Sequence, residues 1–121
     1  RVPPTQPAAI EYEPLGDGVR FRSPAMRQDT KITGPLVEKL WVSSSTTDAD
    51  LFLVFRVFTP DLREVTFVGA IDPHTPIAQG WLRASHRKLD PKLSTPWRPY
   101  HTHDQKQPLT PGQPVELDVE L

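Results

Sequence analysis

The serine residues of this 121-residue chain do not lie in the pattern of a nucleophile. Ser43–Ser45 belong to a run of turn-forming residues, and Ser85 lies between Ala84 and His86. The sharp turn that presents a nucleophilic serine has the pattern Gly-x-Ser-x-Gly, which does not occur in this sequence. We interpret the serine hydroxyls as groups that cap turns and strand ends, and we predict no nucleophile in this chain.

The histidines form the first set of potential metal ligands. His101 and His103, followed by Asp104, have a spacing that places two imidazoles on one face of a strand, and imidazole pairs of this kind bind zinc or copper. A third ligand would have to be His74 or His86. Because the pair lies in a proline-rich segment, we favour the alternative of solvated loop histidines.

Two acidic residues in a Ser/Thr-rich loop form the second set. Asp48 and Asp50 could supply some of the oxygens that calcium requires. The same residue types form Asx turns, in which the carboxylate accepts nearby backbone N–H groups. We expect no metal and no other cofactor, with Asp48 and Asp50 as the candidate ligands if a metal is bound.

Four aromatic residues could contact a partner or stack on a sugar ring. Trp41 and Trp81 fall in strand patterns, which is typical of core or interface residues. Trp97 and Tyr100 flank an Arg-Pro pair in a loop, a composition found in protein interfaces as well as in sugar platforms. The sequence leaves both interpretations of the loop aromatics open.

The densest cluster of functional groups is the run GWLRASHRKLD, residues 80–90. Its Arg83 and Arg87 would need carboxylates if they were buried, and Asp90 is one candidate partner. The alternative is a solvated basic face. Composition and spacing assign no reaction to this run.

Six segments have strand patterns, and together they must position these groups. Strict alternation is cleanest at Val115–Leu121, whereas Leu51–Phe58 is apolar at every position except Arg56 and so predicts a central strand buried on both faces. Gly80–Ser85 is either extended or a short helical turn. The other three predicted strands are Val19–Arg22, Leu36–Ser43 and Val65–Ile71.

These patterns predict an all-β fold. No amphipathic helix is evident, so the strands should pair antiparallel in a sandwich or barrel. The segment Pro91–Pro114 holds six of the 15 prolines. Its length suits the crossover connection of a Greek key or jelly roll.

Composition narrows the class of protein further. The chain has a formal net charge of −1, no cysteine and no long apolar run; we therefore expect no nucleic-acid partner, no disulfide scaffold and no membrane span. Its first ten residues lack the apolar core of a signal peptide, which favours a cytoplasmic location. The proline-rich residues 1–18 are predicted to be an approach segment and residues 19–121 one domain.

Several short motifs in order resemble one family. The run GWLRASHRKLD resembles the segment G-x-L-R-A-S-h-R-x-L-D of the C-terminal domain of Xaa-Pro dipeptidyl-peptidases and the related CocE/NonD acyl esterases. The ordered set is more specific than any one motif. The other matching segments are Phe21–Pro24, Ile32–Pro35, Thr47–Leu51 and Leu109–Gln113.

The resemblance implies a jelly-roll β-sandwich, similar to galactose-binding-like domains, that accompanies an α/β-hydrolase. The parent enzymes are serine hydrolases of esters, amides or Xaa-Pro peptides, and their triad lies in the hydrolase domain, so none of it is carried over here. The partners implied are that hydrolase domain and a homo-oligomer. We expect the interdomain contact or its support to involve Trp81, Arg83, Ser85, Arg87 and Asp90.

Two other functions remain open at this stage. The same fold binds sugars elsewhere, and a carbohydrate-binding module would use Trp97 or Tyr100; a plain adhesion or assembly sandwich is the other alternative. The family's following strand, G-H-R-L-R-L-x-I, is not found here. We therefore expect the domain to lack its last strand or strands, as part of a longer polypeptide.

Overall fold

The computed structural model of the chain describes residues 9–121, and its regular structure is almost entirely β. A single-turn 3₁₀ helix, Ala84–His86, follows the fifth strand. Within residues 9–121 no helix has the length and apolar character needed to cross a bilayer. The six strands are β1 Val37–Val42, β2 Asp50–Phe55, β3 Val57–Phe58, β4 Glu64–Val65, β5 Ala78–Arg83 and β6 Val115–Glu120.

The strands pair antiparallel in a nested order. β1 pairs with β6, β2 with β5, and β3 with β4. One long antiparallel hairpin gives this nesting, because its first strand pairs with its last. In a jelly roll such a hairpin is rolled up into two sheets. The predicted all-β sandwich is thus confirmed, and the crossover between β5 and β6 contains no strand.

The core lies between the inner faces of the β1–β6 and β2–β5 sheets. Leu51 pairs with Leu82 across one sheet, and Leu117 of β6 belongs to the same buried cluster. Alternation along each strand supplies these inner residues, because side chains of a strand point to opposite faces in turn. Ala84, Leu109 and Val119 complete the buried cluster.

The two sheets are in close contact at Gly80. A Cβ atom added at this position would lie 2.0 Å from the backbone oxygen of Glu120. No side chain fits there, so glycine permits β5 to cross against β6.

The predicted central strand is wrong in two respects. Leu51–Phe58 is interrupted at Arg56, where the chain leaves its pairing with β5 and begins to pair with β4. Arg56 instead donates to Glu64 Oε2 at 3.1 Å. The strand is also not covered on both faces, since the side chain of Phe52 is 79% exposed.

The other predicted strands differ in extent. Leu36–Ser43 and Val115–Leu121 are confirmed as β1 and β6, each slightly shorter than predicted. Gly80–Ser85 combines both predicted alternatives, because a strand runs to Arg83 and the 3₁₀ turn follows. Val65–Ile71 is mostly wrong: pairing beyond Val65 is limited to a bridge between Phe67 and Thr75.

Val19–Arg22 is not a strand, although its residues alternate. A strand needs a neighbour to complete its backbone hydrogen bonds. The chain divides into two compact units at Thr30 and Lys31, and all six strands belong to the second. The boundary predicted at residues 18 and 19 remains a prediction, and residues 1–8 of its linker lie outside the described part.

Candidate functional site

The outer surface of the β2–β5 sheet carries an apolar patch between the Asp50–Arg83 pair and Gln79, and we call it the apolar face. It is formed by Phe52, Val54 and Trp81, which point away from the core because their neighbours in each strand point into it. Phe52 lies directly opposite Trp81 in the ladder. The two rings are 79% and 73% exposed, so neighbouring strands present them together.

An ion pair borders the apolar face at the end of the same ladder. Arg83 Nε donates to Asp50 Oδ1 at 2.7 Å, and Arg83 Nη2 donates to Asp50 Oδ2 at 2.8 Å. This bidentate geometry matches the guanidinium plane to the carboxylate. The hydrogen bonds from Arg83 lower the pKa of Asp50, and Asp50 in turn raises the pKa of Arg83.

A shallow recess opens between this ion pair, the apolar face and the 3₁₀ turn. Phe52, Trp81 and His86 are among the residues that line it. It is an open depression rather than an enclosed cavity, which suits contact with another surface better than capture of a small ligand.

Asp48 and Ser85 join the loop before β2 to the turn after β5. Asp48 Oδ1 accepts the N–H groups of Ser85 and Ala49 at 2.9 and 3.0 Å, and Asp48 Oδ2 accepts the Ser85 hydroxyl at 2.7 Å. Burial raises the pKa of Asp48, but these hydrogen bonds and the charge of Arg83 outweigh it and leave the pKa below its usual value. Ser85, 2% exposed, is therefore a structural hydroxyl.

The candidate calcium ligands are engaged by protein donors. Both carboxylate oxygens of Asp48 bind Ser85, and both of Asp50 bind Arg83. Within residues 9–121 no group of three or more histidines and carboxylates is placed to hold a metal ion.

Asp90 was one candidate carboxylate for Arg83 and Arg87, and within residues 9–121 it pairs with neither of them. Arg87 Nη1 donates to the backbone oxygens of Ala84, at 3.1 Å, and of Gln107, so it ties the 3₁₀ turn to residues 87–114, the long loop. Asp90 Oδ1 accepts the backbone N–H groups of Lys92 and Leu93. The five N–H donors of a guanidinium can also bind backbone carbonyls where a loop folds back on it, and no pattern in the sequence predicts that fold-back.

Three of the histidines come close together through folding. His86 Nδ1 lies 3.1 Å from His103 Nδ1, and we call these two residues the histidine pair. The ring of His101 lies 6.0 Å from that of His103. Of the two third members predicted for the His101–His103 set, the structure brings in His86 and not His74.

The loop aromatics are exposed but lie apart from the recess. Trp97 is 60% and Tyr100 53% exposed. Trp97 sits in a turn closed by reciprocal backbone hydrogen bonds between Thr95 and Arg98. The residues that line the recess do not include either aromatic, and their part in sugar binding remains a prediction.

Sequence reasoning missed Phe52 and Val54 as surface residues. Their run of apolar residues indicated burial on both faces, yet only the inner set is packed against the core. The cross-strand partners Asp50 and Arg83 could have been paired by aligning the two strands antiparallel, since each lies at the end of its strand.

Comparison with known proteins places the chain in a family. Residues 5–121 match the X-Pro dipeptidyl-peptidase C-terminal non-catalytic domain. This chain belongs to that family. No curated protein matches the chain.

Two crystal structures of a CocE/NonD family hydrolase from Staphylococcus aureus resemble the domain. Each has a TM-score of 0.69, with 32% and 34% sequence identity, and the match covers 73% of this chain. It covers 16% of each hydrolase chain, so this chain spans about one sixth of the length of those relatives. The predicted resemblance to the dipeptidyl-peptidase and CocE/NonD hydrolases is thereby confirmed.

Proposed function

We propose that this domain packs through its apolar face on the α/β-hydrolase domain of its parent chain and borders that enzyme's active site. The domain supplies no catalytic group itself. The parent reaction is hydrolysis of an ester, an amide or an Xaa-Pro peptide by a serine nucleophile. The observation that carries the proposal is the pair Phe52 and Trp81, which are exposed side by side.

The chemistry of the apolar face supports burial against another domain. Adjacent exposed aromatic side chains are uncommon on a free surface and mark contact sites, where tryptophan contributes most to binding. The matched hydrolases have more than four fifths of their chain outside the matched region. The occupant we propose is therefore the catalytic domain of the same polypeptide.

The residues at the border of the apolar face can be buried under a partner domain at little electrostatic cost. Asp50 and Arg83 neutralise each other through two hydrogen bonds, so a partner surface can cover them without leaving a lone buried charge. Of the residues predicted for this contact, Trp81 and Arg83 lie on or beside the face. Ser85, Arg87 and Asp90 support it from behind by fixing the 3₁₀ turn and the long loop.

The test uses two tryptophans of nearly equal exposure in the domain. Trp81 lies on the apolar face and is 73% exposed, whereas Trp41 lies on the outer surface of the β1–β6 sheet and is 71% exposed. Oxidative footprinting of the full-length parent protein should label Trp41 readily and protect Trp81. Equal labelling of the two rings would contradict docking through the apolar face.

A matched pair of substitutions extends the test to function. Trp81→Glu in the full-length protein should weaken interdomain docking by about 2 kcal/mol, the scale of a lost aromatic anchor, and should lower kcat/KM. Trp41→Glu introduces the same charge at nearly equal exposure. Its repulsion from Glu116 acts within the β1–β6 sheet, so docking and kcat/KM should both stay near the wild-type values. If docking weakens but kcat/KM stays unchanged, the domain packs on the hydrolase without bordering its active site.

A further inference from the structure

The β3–β4 hairpin has an unusual residue at its tip. Thr59 N–H donates to the Arg63 oxygen at 2.9 Å, and Leu62 N–H donates to the Thr59 oxygen at 2.9 Å, so residues 60–62 form a three-residue loop. The last residue of such a loop takes the left-handed conformation, and glycine is the usual residue there. In this chain the position is occupied by Leu62, with φ at +65°.

The packing of the domain does not explain this leucine. A side chain in the left-handed region costs energy that glycine avoids. Leu62 is 61% exposed, so burial among residues 9–121 recovers little of that cost. Strained residues that persist in a fold cluster at sites of contact and function. The residue at the tip therefore points to a contact with a surface outside residues 9–121.

The tip is held rigidly by its own hydrogen bonds. Asp61 Oδ1 accepts the Thr59 hydroxyl at 2.6 Å, and Asp61 Oδ2 accepts Arg63 Nε–H at 2.7 Å. The Thr59 hydroxyl oxygen also accepts the Arg63 backbone N–H at 3.1 Å. Because the turn is already fixed, Leu62 can enter a partner surface with little further loss of conformational entropy.

The hairpin continues the apolar face along one line of strand. Exposed and covered residues alternate without interruption from Asp50 to Phe58, so the change of pairing at Arg56 does not turn the chain over. Phe58, 49% exposed, therefore lies on the same side as Phe52 and Val54. Six residues of strand, about 20 Å, separate Phe52 from Phe58, and one interface of standard size can cover that length.

The charges between the two apolar parts are paired. Arg56 Nη1 donates to Glu64 Oε2 at 3.1 Å, and Glu64 lies opposite Phe58 in the β3–β4 ladder. A partner can cover this pair, like the pair of Asp50 and Arg83, without leaving a lone buried charge. The surface along β2 and β3 is thus compatible with one continuous contact.

We propose that Leu62 is a second anchor of the contact with the hydrolase domain, and that its side chain fills an apolar pocket on that domain. This inference rests on the proposed function and extends the contact from the β2–β5 sheet to the hairpin tip. The occupant is the hydrolase domain because the hairpin continues the apolar face. The matched hydrolases also have more than four fifths of their chain outside the matched region.

The substitution Leu62→Gly in the full-length parent protein distinguishes an anchor from a free leucine. Glycine relieves the left-handed strain, so a loss of docking would not come from a damaged hairpin. The readout is the rate at which a slow tryptophan-selective oxidant modifies Trp81, because a covered ring reacts only in the undocked state and the rate follows the undocked fraction. We expect this rate to rise about tenfold.

Two further variants control for side-chain loss and for flexibility. Leu93→Gly removes the same side chain at nearly equal exposure, 58%, from the long loop, and should leave the Trp81 rate unchanged. Leu62→Asn tolerates the left-handed conformation without the flexibility of glycine, and should raise the rate as Leu62→Gly does because its side chain is polar. An unchanged rate in either Leu62 variant, or an equal rise in Leu93→Gly, would overturn the anchor.

Footprinting of the wild-type protein with hydroxyl radicals separates this inference from the proposed function. Leu62 and Trp81 should be protected together, relative to Leu93 and Trp41. If Trp81 is protected but Leu62 is labelled as fast as Leu93, docking through the apolar face stands and the second anchor is overturned. If Trp81 is labelled like Trp41, the proposed function fails and the anchor fails with it. Protection of Leu62 that is lost on dilution would identify a second copy of the chain as the occupant and overturn the assignment to the hydrolase domain.

Discussion

The two outer surfaces of this sandwich have the same geometry and opposite chemistry. On the β2–β5 sheet, the exposed tryptophan lies across from Phe52. On the β1–β6 sheet, the exposed Trp41 lies across from Glu116, and the neighbouring pair is Lys39 with Asp118, joined at 2.6 Å. We call this second surface the charged face.

This difference shows that the exposure of a tryptophan is not enough to assign it to a contact surface. Trp41 and Trp81 are almost equally exposed, so accessibility alone does not distinguish them. A tryptophan beside an ion pair and a carboxylate is compatible with a hydrated surface, whereas one beside another aromatic ring presents a continuous apolar surface. The neighbours across the ladder are therefore the reason why we propose the apolar face, and not the surface around Trp41, as the contact with the hydrolase domain.

The largest expected effect comes from a substitution at Gly80, where the two sheets are in contact. Gly80→Ala places a methyl group against the Glu120 backbone oxygen, which neither strand can move away from freely. We expect the free energy of unfolding to fall by roughly 3 kcal/mol, with loss of protection in both sheets. Gln79→Ala, its exposed neighbour, should change stability by less than about 0.5 kcal/mol. A stable Gly80→Ala protein would show that the strands are not in contact here.

The second prediction affects one sheet and spares the other. Asp48→Ala removes the acceptor of two Ser85 hydrogen bonds and leaves those groups buried, at a cost of about 2 kcal/mol. Hydrogen exchange should rise more in β2 and β5 than in β1 and β6. Glu116→Ala removes the same charge from the charged face and should cost less than about 0.5 kcal/mol. Equal loss of protection in both sheets would contradict this division.

Much of the fold could be predicted from the sequence, because the inner and outer faces of a strand follow from the residue pattern of that strand alone. Alternation in β6 and the apolar positions of β1 identify inner and outer residues without knowledge of partners. The prediction of a strand at Val19–Arg22 was wrong because an alternating pattern does not show whether a partner strand is available. The continuous apolar run of β2 was misinterpreted because its outer residues are kept apolar by a contact that lies outside the sheet, in our proposal the hydrolase domain.

The functional contacts were less accessible because they join distant parts of the chain. For Arg83 the sequence offered Asp90 as one candidate partner, whereas the register of β2 and β5 brings Asp50 opposite it. The bonds between Asp48 and Ser85 and the histidine pair likewise depend on nesting of the strands. Residue types indicated the groups involved, and topology decided their partners.

The third prediction uses acid to weaken the half of the sandwich that carries the apolar face. The pKa of Asp48 is lowered in the folded protein, so its carboxylate stabilises the fold above the unfolded value of about 4, and this contribution is lost as pH falls through the folded pKa. Asp48→Asn keeps the shape without the charge. The difference in unfolding free energy between wild type and Asp48→Asn, measured by urea unfolding, should shrink from pH 6 to pH 3. A constant difference would contradict it.

The smallest expected effect concerns the two ion pairs. In the full-length protein, docking should cover Asp50 and Arg83 and leave Lys39 and Asp118 in water. Double-mutant cycles should therefore give a coupling for the first pair that added salt hardly changes, whereas salt should weaken the second. Equal salt dependence of the two couplings would place both faces in solvent.

The nested pairing also sets an order of assembly. The innermost hairpin joins residues close in sequence, as in the contact of Arg56 with Glu64 eight positions away, whereas Lys39 and Asp118 of the outermost ladder are 79 positions apart. Closing the longer loop from an open chain costs about 2 kcal/mol more than closing the shorter one. The β3–β4 pair should therefore form first and the β1–β6 pair last. During synthesis β1 must then wait, with its apolar residues unpaired, until the ribosome has released β6, and this interval is when the nascent domain is most exposed to aggregation.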